Sequence, residues 1–151
     1  MKFRLVEEQQ YGKKSKKQLP TFSHADLLTV EEAEKLSQKL RKYKYWWWLR
    51  SPGHSSYVAA FAYSSGSISD CGYSVSVDDG AIRPALRITN LNDYKVGSLF
   101  KFGGQWFEIV DENTAFCVND IGTHRFDDET CDYDESEIKK YIDDWFNKNN
   151  N

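Results

Sequence analysis

"YWWWLRSPG", residues 45–53, sets three tryptophans in a row ahead of Leu49, Arg50 and a Pro52-Gly53 break. In an extended chain successive side chains point to opposite faces, so Trp46 and Trp48 share one side and Trp47 and Leu49 the other. At most one pair can face solvent, which makes the segment a strand packed into a core. Each buried ring removes roughly 150–250 Å² from water, so these indoles lead the apolar contribution to a small domain.

The same period of two continues downstream. "YVAAFAY" (57–63) reads as a strand, "SSGS" (64–67) as a turn, "YSVSV" (73–77) as an alternating strand and "DDG" (78–80) as a hairpin turn. "AIRPALRI" (81–88) is a further strand whose Pro84 requires a bulge or an edge, since proline gives no ladder amide. "SLFKF", "GG", "QWFEIV", "DEN" and "TAFCV", between Ser98 and Val118, form a three-stranded meander.

Helices flank these strands. "TVEEAEKLSQKLRKY" (29–43) opens with Thr29 and Glu32 in capping-box spacing and carries Ala33, Leu36, Leu40 and Tyr43 on one face, with Glu31 and Lys35 spaced to pair outside. "DYDESEIKKYIDDWFNKNNN" (132–151) has Asp134 and Glu137 in the same capping spacing, then an apolar stripe of Ile138, Tyr141, Ile142, Trp145 and Phe146. "MKFRLV" (1–6) suits a short strand, and the lysines of residues 13–17 suit a solvated arm. The expected fold class is therefore α+β, compact and mostly antiparallel, with two main helices. Its organisation is an N-terminal strand and basic arm, residues 1–26, followed by one α+β domain, residues 27–151.

The chain of 151 residues is long enough for one core, and no window approaches the ~20 apolar residues of a membrane helix. "MKFRLVEEQQ" lacks the apolar run of a signal peptide, so a cytoplasmic protein is expected. The net charge of −3 divides into about +6 over residues 1–50, −1 over 51–100 and −8 over 101–151, a polarity that steers partners rather than fold.

Few residues invite chemistry. Arg50 and Arg83 each close an apolar strand, where a guanidinium fork either grips a carboxylate or phosphate in a cleft or ties down loop carbonyls. His54 lies among Ser51, Ser55 and Ser56, yet adjacent positions do not make a triad. His24 and His124 have no metal-binding spacing, and Cys71, Cys117 and Cys131 are too widely spaced for a zinc knuckle, so no metal and no cofactor is called for. The acids Asp127, Asp128, Glu129, Asp132, Asp134 and Glu135 lack the turn glycine of a calcium loop and read as either a solvated ridge or a partner surface. No nucleic-acid-binding motif is present, so neither nucleic acid nor membrane is the expected partner.

"WWLRSPG" followed by "YVAAFAYSSGSIS" and "GYSVSVDDGAIRPAL" resembles a bacterial and phage domain family of unknown function whose hallmark reads WLRSPG…G(V/I)RPAL. "VGSLFKFGGQWFEIVDENTAFCV" and "YDESEIKKYIDDWF" are similar to a half that precedes the hallmark in common members and follows it here. The resemblance implies halves in circularly permuted order, residues 27–90 and 95–147, and an origin in phage or prophage. More distantly the segments resemble the C-type-lectin-like fold of the formylglycine-generating-enzyme type. Together these readings give a non-enzymatic binding protein whose partner is a host or phage protein, an inhibitor of a host defence factor being one form. The alternatives are a pocket for an anionic or sugar ligand at Arg50 and Arg83, or a virion component.

Overall fold

The computed structural model describes residues 17–150, so the strand expected at 1–6 and the lysines at 13, 14 and 16 lie outside the described residues. In chain order the elements are β1 (Thr21–Asp26), α1 (Val30–Glu34), α2 (Gln38–Arg41), β2 (Trp47–Pro52), β3 (Val58–Ala62) and β4 (Ile68–Ser74). Then come β5 (Ala85–Asn90), β6 (Leu99–Phe102), β7 (Gln105–Asp111), β8 (Thr114–Cys117), a 3-10 turn at Tyr133–Glu135 and α3 (Glu137–Asn149). The strands make two antiparallel sheets, β1-β5-β8-β7-β6 and β2-β3-β4, which together with the helices give the α+β class. No described helix is long and apolar enough to cross a membrane.

The meander forms where it was expected. Gly103 and Gly104 take φ of 58° and 79°, the left-handed pair that a two-residue hairpin turn demands, and Phe102 pairs with Gln105 across them. β5 lies between β1 and β8: Leu86 faces Ala25 on one side and Ala115 on the other. The sheet curls until its two edge strands meet, with Phe22 of β1 stacked on Phe100 of β6 at 5.7 Å and edge-on to Phe102 at 5.3 Å. Ile138, Ile142 and Phe146 of α3 pack within the core made by this curled sheet, with Tyr141 and Trp145 half-buried beside them.

The tryptophan strand separates two apolar clusters. Trp48 enters the larger one with Ile82, Leu86, Phe107 and Phe126, and Trp46 packs against its margin. Trp47 and Leu49 enter the smaller one with Leu28, Ala33, Leu36 and Phe116. Both buried indoles satisfy their N–H: Trp47 Nε1 donates to the Arg41 carbonyl at 3.1 Å and Trp48 Nε1 to the His124 carbonyl at 2.9 Å. The 80–83 segment threads alongside, with the Ala81 amide donating to Trp46 and the Trp48 amide to Ala81. Gly80 fits there because a Cβ would stand 2.4 Å from Trp48 Nε1 and 2.7 Å from the Trp46 ring.

Four local expectations are corrected. The helix over 29–43 is two short helices: the Thr29–Glu32 capping box forms, but Ser37 turns extended and caps α2 through Leu40 N, so Glu31 and Lys35 make no ion pair among the described residues. The strand expected at 73–77 lies at 68–74, because Val75 turns into the core and donates to the Tyr57 carbonyl. The cap of α3 is Ser136, accepting from Lys139 N, whereas Asp134 lies in the 3-10 turn capped by Asp132. β1 was not foreseen; "TFSHAD" lacks a clean apolar alternation and is held by its ladder with β5. Pro84 falls just ahead of β5, where its missing amide costs no ladder bond and its carbonyl accepts from Cys117 N.

Candidate functional site

Arg83 is 1% exposed. Its guanidinium carbon lies 4.5 Å from the ring centroid of Phe116, 4.7 Å from Tyr43 and 4.8 Å from Trp47. Nη2 donates to the carbonyls of Leu40 at 2.9 Å and Val118 at 3.1 Å, and Nη1 to that of Arg41 at 3.4 Å. Burial lowers its pKa to about 10, which leaves it cationic at neutral pH. The fork is occupied by loop carbonyls and aromatic faces.

Arg50 stands elsewhere, with Nη1 3.5 Å from Asp26 Oδ2. Asp26 also accepts from Arg87 Nε at 2.7 Å, and Arg87 reaches Glu32 through Nη1 at 2.8 Å and Nη2 at 3.0 Å. Burial pushes the Glu32 carboxyl up, but the bonds from Arg87 and the Thr29 amide outweigh it and hold the group below its ordinary value. The network joins β1, α1, β2 and β5. Arg50 and Arg83 thus have separate partners and do not converge on one pocket.

The acidic segment divides in two. Asp127 is buried and accepts from the amides of Glu129, Thr130 and Glu137, so it braces the loop and the start of α3. Burial raises its pKa, and those three amides more than offset the effect, keeping it below the usual carboxylate range. Asp128, Glu129, Asp132, Asp134 and Glu135 are exposed.

One concave part of the surface was not singled out from sequence. Trp46, Phe61, Tyr63 and Tyr73, with Ser69, Cys71 and Gly72, line an open cavity of about 590 Å³ on the three-stranded sheet. Phe61 is its buried floor, and Tyr63 and Tyr73 remain 50% and 42% exposed. The rings touch: Phe61 and Tyr63 are 4.8 Å apart, Trp46 and Tyr73 4.9 Å, Phe61 and Tyr73 5.4 Å, Trp46 and Phe61 5.5 Å. Alternation along "YVAAFAY" places Phe61 and Tyr63 on one side. Tyr73 escapes such counting because Ala59 pairs with Tyr73 but Phe61 with Ser69, so β4 carries two extra residues in a bulge.

That bulge also brings Asp70 and Cys71 to His54. The His54 amide donates to the Cys71 carbonyl at 2.8 Å, and the Pro52-Gly53 turn packs so tightly on β4 that a Cβ on Gly53 would stand 2.4 Å from the same oxygen. One donor atom from each of the three exposed side chains lies within 4.8 Å of the others. His54 thus acquires partners that its serine neighbours did not suggest.

A family model described as a domain of unknown function (DUF6273) matches residues 5–90. The matched stretch contains both "WLRSPG" and "GAIRPAL", includes the lysine arm that the sequence resemblance left outside, and stops short of β6. No curated protein and no solved structure matches the chain.

Proposed function

The chain belongs to the DUF6273 family of domains of unknown function, and we propose that this member is a non-enzymatic module that binds a partner protein through the face formed by Trp46, Phe61, Tyr63 and Tyr73. The observation that carries the reading is the gathering of two exposed tyrosine rings and a half-buried tryptophan over an apolar floor. Such side chains bring large contact area at low entropy cost and dominate protein interfaces. Among the described residues no carboxylate, carboxamide or cationic group lines the cavity, which favours an apolar anchor residue of a protein over a sugar whose hydroxyls need such groups. The resemblance read from the sequence suggests a host or phage protein as partner, inhibition of a defence factor as one outcome, and a lectin-like ancestry for the fold.

The test begins with a host lysate passed over the immobilised protein and over a Tyr63→Ser/Tyr73→Ser variant. A protein retained by the first and not by the second is then purified, and its affinity measured by calorimetry. The expected loss in the double variant is at least about thirtyfold, corresponding to ~2 kcal/mol for interface aromatics. Equal binding by both forms, or selective retention of a glycan instead, would overturn the proposal.

A further inference from the structure

We propose that His54, Asp70 and Cys71 form a binding site for a divalent transition-metal ion of the zinc type. The inference stands independently of the partner reading above.

The donor set is one imidazole nitrogen, one carboxylate oxygen and one thiolate sulfur, with their donor atoms within 4.8 Å of one another. Tetrahedral zinc, with bonds of roughly 2.0–2.3 Å, requires ligand atoms about 3.3–3.8 Å apart. Rotations of exposed side chains bridge that difference, because the backbone is already drawn together by the His54–Cys71 hydrogen bond and the Gly53 contact. Adjacent strand residues ordinarily point to opposite faces. The two extra residues of the β4 bulge allow Asp70 and Cys71 to serve one site.

The chemistry selects the metal. A thiolate beside an imidazole favours zinc and its neighbours over magnesium or calcium, which prefer all-oxygen shells. Three protein ligands leave a fourth position for water or for a group from a partner. Cys71 also lines the aromatic cavity, so the ion would sit on its rim.

A second cluster with similar spacing, Asp127, Asp128 and Glu137, makes the contrast. There Asp127 is held by three amides and Glu137 by both Nε and Nη2 of Arg125 at 2.8 Å. The side chains of His54, Asp70 and Cys71 have no hydrogen-bond or ion-pair partner among the described residues, so a metal entering there breaks no bond to a described side chain.

The test is a titration of the intact reduced protein with Co²⁺, read by absorbance. One equivalent should produce the thiolate-to-cobalt charge-transfer band together with tetrahedral d–d bands, and Zn²⁺ should abolish both by displacement. Cys71→Ser should remove the charge-transfer band, His54→Ala should weaken affinity at least about tenfold, and Cys131→Ser should change neither. Near-ultraviolet circular dichroism from the buried tryptophans verifies that each variant is folded. No band in the wild type, or a band that survives in folded Cys71→Ser, would overturn the site.

Discussion

The guanidinium carbon of Arg83 lies 4.8 Å from the indole centroid of Trp47, while the Trp47 Nε1 and Arg83 Nη1 both donate to the carbonyl of Arg41. The pair therefore closes the end of α2 over the strand β2. A cation buried without a direct carboxylate among the described residues is stabilised here by three aromatic faces and three carbonyls, an arrangement that suits a planar guanidinium and not a compact ammonium. Arg83→Ala should cost about 3 kcal/mol or more in urea unfolding, from lost packing and orphaned carbonyls. Arg83→Lys should recover only part of it. A loss below ~1 kcal/mol in the alanine variant would contradict the bracing role.

Gly80 is required by space. An added methyl would meet Trp48 Nε1 at 2.4 Å and the Trp46 ring at 2.7 Å, neither of which can move without disturbing the cavity floor or the indole bond to His124. Gly80→Ala is expected to lower stability by about 1–3 kcal/mol, as overpacking does, and to shift tryptophan emission to the red. Thermal unfolding followed by fluorescence checks both.

Acid should loosen the joint between α1 and β5. The folded pKa of Glu32 is depressed below its ordinary value of 4.5, so the folded form binds its proton less readily than the unfolded form. The stabilisation from this group is therefore complete above about pH 5 and fades as pH falls through the lowered folded value. In Glu32→Gln, the slope of stability against pH below 5 should be shallower than in the wild type. Parallel slopes would remove Glu32 from the linkage.

The two candidate caps of α3 can be told apart. Ser136 accepts from Lys139 N at 3.1 Å and donates to the Tyr133 carbonyl at 2.7 Å, whereas Asp134 is exposed. Ser136→Ala should cost about 1 kcal/mol or somewhat more, and Asp134→Ala close to nothing. Equal effects in denaturant titrations would restore Asp134 as the cap.

The contrast between these caps shows what local patterns can and cannot reveal. The meander, the tryptophan alternation and the stripe of α3 were legible because each depends on a short period read within one element. The choice between Asp134 and Ser136 depends on Asp127, ten residues before Glu137, bonding to the amide of Glu137, and β1 depends on a ladder with the distant residues Ala85–Asn90. Arg83 was identified as notable from its place after an apolar strand, but its three rings come from separate segments. His54, Asp70 and Cys71 were hidden for a related reason. Their meeting follows from two surplus residues in β4, and register across a bulge leaves no period in the sequence.

The position of β5 has a practical meaning for anyone who trims this protein. The stretch matched by the family ends at Asn90, the last residue of a strand whose second neighbour, β8, is supplied only afterwards. A recombinant fragment stopped at that boundary would display a bare row of amides and carbonyls along Ala85–Arg87, a template for self-association into insoluble material. Adding residues 91–151 as a separate polypeptide should quench that tendency by fragment complementation.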